Sequence, residues 1–236
     1  MSGQIPLDLP AATALGRADF LPAEANAEAL AWIDRWPDWP VPVSAVVGPE
    51  GSGKTHLLAI WAARAGAMIL DGRWLAATEL SAVLDRLGGA TRVALDDADA
   101  IAGAAVGERA LFHLYNWIRE RGGALLMAGR TPPARWRVAL PDLSSRLRTA
   151  HVATLGAPDD ALLEAVLFKL FHDRQVAVGM DVVQYLARRM ERSLSAAGAV
   201  VDALDRRALA AKRPISVRLA RELAAESGWT RGDDRD

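Results

Sequence analysis

The chain has 236 residues, 51% of them hydrophobic, and its 28 basic and 29 acidic side chains leave a net charge of −1. That composition belongs to a soluble globular protein of one sizeable domain, or one domain with a small appendage, and it argues against a broadly basic nucleic-acid binder. The absence of cysteine excludes disulfides, thiolate metal sites and cysteine nucleophiles, and it fits a reducing cytoplasm.

Residues 1–19 contain Pro6, Pro10 and Gly16 and show no helical or strand period, so they are expected to form an extended arm. The opening decapeptide lacks the basic region and apolar stretch of a signal peptide. No apolar run anywhere approaches the ~20 residues of a membrane span. The spacing of Leu30, Ile33 and Trp36 predicts a helix over 23–36, broken by Pro37, Pro40 and Pro42. Trp32, Trp36 and Trp39 read as core packing rather than as a ligand site. Apolar strand-like runs then follow at 43–47, 67–70, 92–95, 124–128 and 151–155. They alternate with helical patterns at 54–65, 78–87, 108–121 and 142–149. Five strands with intervening helices predict a parallel α/β sheet covered on both faces. After Pro158 the pattern becomes all helical, at 159–174, 181–192, 195–211 and 217–226. The expected organisation is an arm at 1–19, an α/β domain at 20–156, a helical domain at 157–227 and a polar tail at 228–236.

Gly48-Pro49-Glu50-Gly51-Ser52-Gly53-Lys54-Thr55 matches GxxxxGK[ST] at every fixed position, between a predicted strand and a predicted helix. Glycines at 48, 51 and 53 let the backbone curl and aim N–H groups at phosphate oxygens, and the helix that follows adds its positive end. Lys54 would reach the outer phosphates, and Thr55 offers a hydroxyl to Mg²⁺. The lysine carries extra weight because the chain holds only Lys54, Lys169 and Lys212. Arg92-Val93-Ala94-Leu95-Asp96-Asp97 is an apolar strand ending in two acids: Asp96 suits Mg²⁺, and Asp97 suits the orientation or activation of an attacking water. No Asn-Lys pair exists for a guanine-specific site. The helical block follows the sheet rather than interrupting it, unlike the lid of a small-molecule kinase.

Several segments together resemble the DnaA/Hda family of AAA+ proteins. They are Gly51-Ser52-Gly53-Lys54-Thr55-His56-Leu57-Leu58, the Asp96-Asp97 pair, Leu125 through Pro133 with its Pro132-Pro133 pair, and Leu143-Ser144-Ser145-Arg146-Leu147. The resemblance covers about 18–226. It implies a P-loop AAA+ module: a five-stranded parallel sheet with a C-terminal all-helical lid. It implies bound ADP or ATP with Mg²⁺, contacts to the nucleotide from Phe20, Asn26 and His56 as well as the loop, and an arginine finger at Arg146. By chemistry alone His56 could be a surface histidine and Arg146 a surface arginine on a short helix. Gln4-Ile5-Pro6-Leu7-Asp8-Leu9 is similar to peptides that dock on the DNA polymerase III sliding clamp, with Gln4, Ile5, Leu7 and Leu9 making the contacts.

Three departures from the family pattern stand out. Gly129-Arg130-Thr131 puts a base where the sensor-1 strand usually ends in an acid or hydroxyl. The sensor-2 arginine position falls on Ser195 or Ala196, with Arg192 the nearest base. A second basic residue ahead of the finger aligns with Asp142. The expectation is a cytoplasmic, Hda-like negative regulator of replication initiation, tethered to the clamp, that stimulates ATP hydrolysis by the initiator DnaA while hydrolysing little itself. Self-association is a further contact. Neither sequence-specific DNA binding nor a membrane partner is expected, because a DNA-reading domain finds no room in this length. The rival reading is a self-sufficient AAA+ ATPase, such as a helicase loader or a transposition helper. A nucleotide kinase, and DNA contact through Arg188, Arg189, Arg206 and Arg207, rank below it.

Overall fold

The computed structural model describes residues 16–227. Five parallel strands form one sheet in the order β2-β3-β4-β1-β5: β1 (Val43–Val47), β2 (Met68–Asp71), β3 (Arg92–Asp96), β4 (Ala124–Gly129) and β5 (His151–Thr154). The three inner strands are nearly continuous apolar runs, because a parallel sheet clad by helices buries both faces. The outer strands β2 and β5 are only partly buried.

Alternation along each strand divides the core. Val43, Ala45, Val47, Val93, Leu95, Leu125 and Met127 face one layer, formed by α3 (Gly72–Ala76), α4 (Leu80–Leu87), α5 (Ala105–Glu120) and α6 (Pro141–Leu147). Val46, Ala94, Leu126, Ala128 and Ala153 face the other, formed by α1 (Ala27–Asp34) and α2 (Lys54–Ala65). On that side Trp32, Trp39 and Trp61 stack in series, with centroids 5.4 and 5.2 Å apart, and His151 of β5 lies on Trp32 at 3.5 Å. The tryptophans read as packing residues therefore clamp α1 and α2 to each other and to the outer strand.

Beyond β5 the chain forms α7 (Asp160–Asp173), α8 (Met180–Arg189), α9 (Leu194–Ala211) and α10 (Val217–Ser227) around a separate apolar core that includes Leu167, Phe171, Leu186, Val201 and Leu219. Among the described residues no helix is long and apolar enough to cross a membrane.

Several predicted elements shift. The helix expected over 23–36 begins at Ala27, because the Asn26 side chain caps the turn before it, accepting from Ala23 N and donating to Leu21 O, both at 2.9 Å. The pattern at 78–87 conceals a separate helix upstream, α3, capped by Asp71, which accepts from Trp74 N at 2.8 Å. Gly72 opens it because a Cβ there would come within 2.2 Å of the Asp97 carbonyl. α9 starts at Leu194, capped by Ser193, which accepts from Ala196 N.

One buried charge ties the loops together. Glu108 on α5 is 2% exposed, and its carboxylate accepts from Gly103 N, Ala139 N and Leu140 N at 2.8–3.0 Å. It joins the loop after β3 to the start of α6. Deleting it strands three part-buried main-chain donors and empties a buried site, so Glu108→Ala is expected to lower the unfolding free energy by about 2 kcal/mol or more in urea titration. Glu120→Ala, at the exposed end of α5, should cost less than about 0.5 kcal/mol. Equal losses would show that the carboxylate does not hold these loops.

Candidate functional site

The loop between β1 and α2 lies at the C-terminal edge of the sheet, the edge at which α/β folds bind ligands. Gly51 and Gly53 hold φ values of 70° and 99°, open to glycine and strained for other residues. Gly48 is required by proximity, since a Cβ there would lie 2.4 Å from the Leu155 carbonyl.

The loop sorts its polar groups. Lys54 Nζ donates to Gly48 O at 2.9 Å and Pro49 O at 2.7 Å. The buried Ser52 hydroxyl donates to Pro49 O at 2.9 Å. Leu194 N of the helical block donates to Gly51 O at 2.7 Å. The carbonyls are thus occupied, whereas the N–H groups of Gly51, Gly53, Lys54 and Thr55 meet no acceptor among the described residues. Free, convergent N–H groups at the start of a 12-residue helix form an anion cradle. Burial pushes the Lys54 ammonium below its ordinary value. Asp96, Asp99 and Asp97 pull it back up, and the Arg130 guanidinium opposes them.

The structure brings Thr55 and Asp96 together across 41 residues of sequence: Thr55 Oγ1 donates to Asp96 Oδ2 at 2.7 Å. Asp96 Oδ1 accepts from Asp97 N at 3.0 Å. Asp97 follows in a left-handed conformation, φ 46°, with its carboxylate 3.1 Å from Arg73 on α3. Phe20 is buried, packs edge-on against His56 at 5.2 Å, and comes close to Gly53. His56 lies 3.2 Å from the Gly16 carbonyl.

Two sequence-derived candidates make their contacts away from the loop. Asn26 is buried with both ends of its amide engaged by its own loop, so here it shapes the segment after Phe20. Arg146 does not gather at the loop: its guanidinium lies over the rings of Phe112 (4.3 Å) and Tyr115 (5.6 Å) on α5, with Nη1 enclosed and unpartnered. Gln4, Ile5, Leu7 and Leu9 fall outside the described residues. Arg192, the nearest base to the sensor-2 position, is held by Asp160 at 3.0 Å.

Sequence reading missed several residues. Asp99 accepts from Arg130 N at 2.8 Å, and Glu50 pairs with the Arg130 guanidinium at 2.8 Å. Ser193 and Leu194 press the helical block onto the loop, so closely that a Cβ on Gly51 would lie 1.9 Å from Ser193 Oγ. The signal for Ser193 was present, as a serine immediately before an apolar helix. Nothing in the sequence pairs Glu50 with Arg130, 80 residues away.

Residues 160–223 match the family model described as Hda, lid domain. The fold is similar to domain III of the Thermotoga maritima replication initiation protein DnaA, with TM-score 0.78 and 17% identity, covering 90% of this chain and 96% of that one. It is also similar to AMPPCP-bound DnaA from Aquifex aeolicus, with TM-score 0.65 and 16% identity, covering 79% of this chain and 63% of that one. A third likeness is to the Thermotoga maritima RuvB Holliday junction branch migration motor, with TM-score 0.63 and 14% identity, covering 86% and 66%. The fold is therefore the one these structures share, and α7–α10 carry the match to the Hda lid.

Burial lowers the pKa of both His56 and His151 below the usual 6.5, opposed by the Gly16 carbonyl and Asp19 at the first and by Glu28 at the second. Lys169 and Arg35, respectively, lower them further. The unfolded chain then binds more protons than the folded one below about pH 6.5, so these groups weaken the fold as pH falls through that range. Between about pH 7.5 and 5.5, the Tm of a His56→Gln, His151→Gln double variant should fall less than that of the parent. Parallel pH curves would contradict this.

Proposed function

Taking the chain as a DnaA-related, Hda-like AAA+ protein, we propose that it is a nucleotide-held regulator of replication initiation that acts on the ATP bound to the initiator DnaA. The observation that carries the reading is the phosphate loop: free N–H groups, Lys54 at its end, Thr55 hydrogen-bonded to Asp96, and a lid of the Hda kind resting on Gly51.

The residues fit a Mg²⁺ nucleotide, ADP or ATP. Gly51, Ser52, Gly53 and Lys54 would hold the phosphates through the main chain, and Lys54 Nζ would give up its carbonyl partners for phosphate oxygens. Phe20 and His56 form an apolar wall beside Gly53 for the base. Among the described residues no cluster of three or more His, Cys, Asp or Glu is arranged to hold a metal by itself. Thr55 and Asp96 would supply part of a Mg²⁺ shell, with phosphate oxygens and water in the remaining places. Bound Mg²⁺ would neutralise phosphate charge.

The chain's own hydrolysis is expected to be weak. Asp97 is engaged by Arg73, and the first turn of the lid helix α9 presents Ser195 and Ala196 where a guanidinium would stabilise developing charge. The reading assigns the productive step to a partner's site. Arg146 leaves its stack on Phe112 and Tyr115 and enters the nucleotide site of ATP-bound DnaA, where its planar fork binds phosphate oxygens. Leaving the ring faces costs about 1 kcal/mol, which docking must exceed. The Gln4–Leu9 peptide tethers the protein to the DNA-loaded sliding clamp and raises its local concentration.

Purified protein mixed with DNA-loaded clamp and ATP-loaded DnaA should accelerate ADP formation. Arg146→Ala should lose at least about 100-fold of that acceleration at any protein concentration. A Gln4→Ala, Leu7→Ala variant should lose it only at low concentration, because it removes the tether and not the finger. Wild type and Arg146→Ala acting equally would refute the finger role, and full activity of the arm variant at every concentration would refute tethering.

A further inference from the structure

We propose that the outward face of α7, centred on Phe168, is a docking surface for the chain's own N-terminal arm, covered by Leu7, Leu9 and Leu15. The arm then has two docking places, the lid and the sliding clamp. The second rests on the tethering reading above; the first does not.

The inner face of α7 carries Leu163, Leu167 and Phe171 into the core of the helical block. Its outer face is not the charged surface usual for a solvent-facing helix. Ala161, Ala165, Phe168 and His172 recur at spacings of four, three and four residues, so they form one stripe, and all four are exposed. Phe168 is 48% exposed, whereas Phe171, on the next turn, is fully buried. The His172 ring lies nearly parallel to the Phe168 ring, with centroids 6.5 Å apart, which broadens the shelf. A stripe of this kind, without Asp, Glu, Lys or Arg, is stabilised by an apolar cover.

The course of the chain says what that cover is. Lys169, next to Phe168, meets Asp19 Oδ1 at 2.8 Å. A Cβ on Gly16 would lie 3.1 Å from the other oxygen of the same carboxylate. Arg17 pairs with Asp34 at 2.8 Å, and the Gly16 carbonyl lies 3.2 Å from His56, so this point is also fixed from the side of α1 and α2. Residue 15 therefore joins the described chain one ion pair away from α7. Leu9 is seven residues from Gly16, a reach of at most about 25 Å. The stripe from Ala161 to His172 is only about 17 Å long. Residues 1–15 hold eight apolar side chains and one charged one, Asp8, so they have surface to cover and little charge to keep in water. Pro6 and Pro10 favour an extended backbone, which would put Leu7 and Leu9 on one side about 7 Å apart, close to the ~6 Å between Ala161 and Ala165. Leu7 and Leu9 are also the residues assigned to the clamp, so one arm cannot hold both surfaces at once. Docking on the lid lowers the apparent affinity for the clamp by the fraction of arms so held.

The chain contains no cysteine, so an engineered pair reports a single contact. Leu9→Cys is combined with Ala165→Cys on the stripe or, as a control, with Ala63→Cys on α2. Ala63 is exposed and shares a helix face with His56, so it lies on the other side of Gly16 from the stripe. Under mild oxidation the stripe pair should close within one chain about tenfold or more faster than the control pair. Adding Phe168→Gln should reduce closure to the control rate, and this exposed substitution should leave the circular dichroism unchanged. Excess sliding clamp should slow closure, and Phe168→Gln alone should tighten clamp binding. A stripe pair that closes no faster than the control would overturn the proposal. Disulfides between chains, seen as dimers in non-reducing electrophoresis, would give the face to a second copy and overturn it as well. Fast closure within a chain that fails to bind the clamp would uphold the lid contact and refute the tether alone.

Discussion

The site depends on one division of labour in the backbone of residues 48–55: the carbonyls of Gly48, Pro49 and Gly51 are held by donors within the protein, and the N–H groups of Gly51, Gly53, Lys54 and Thr55 are left for something else. A loop cannot abandon its polar groups without cost, so each carbonyl must find a donor before the amides can be turned toward a ligand. Lys54 caps Gly48 and Pro49, Ser52 adds a second donor to Pro49, and Leu194 caps Gly51. The positive φ values at Gly51 and Gly53 are the local means by which the chain accomplishes this sorting. Lys54 is poised in the same way, holding carbonyls at a position from which phosphate oxygens can claim it.

Three distant parts of the chain converge on that loop. The sheet supplies Asp96 from β3 and Arg130 after β4. The lid supplies Ser193 and Leu194, and its Lys169 reaches Asp19 at 2.8 Å. The segment 16–20 contributes Phe20 and the Gly16 carbonyl beside His56. Lid, loop and N-terminal segment are therefore mechanically joined through contacts of a few residues. A ligand that orders one has a direct path to the others, because each hydrogen bond, ion pair or packing contact has its two ends on separate elements.

The fold was largely legible because its strongest signals are local. Apolar strand runs, the change to helical periodicity after Pro158 and the GxxxxGK[ST] spacing need no knowledge of distant contacts. The Thr55–Asp96 pairing was also legible, since a strand ending in acids next to a phosphate loop leaves few other arrangements. What the sequence concealed is set by tertiary contact. Glu50 and Arg130 meet only because β4 lies beside β1. Gly72 is fixed by the Asp97 carbonyl, and Glu108 is buried only because two loops close over it. Arg146 marks a different limit: a motif names the residue, but only packing reveals that its guanidinium rests on Phe112 and Tyr115.

The Leu194 N–H to Gly51 carbonyl bond joins the phosphate loop to the first turn of α9, so nucleotide held at the loop is expected to order both. Amide hydrogen exchange with and without Mg-ADP tests it most directly. Slowed exchange is expected in both 50–55 and 194–197, with the two responses following the same ligand dependence. Protection confined to 50–55, with 194–197 unchanged at saturating nucleotide, would contradict it.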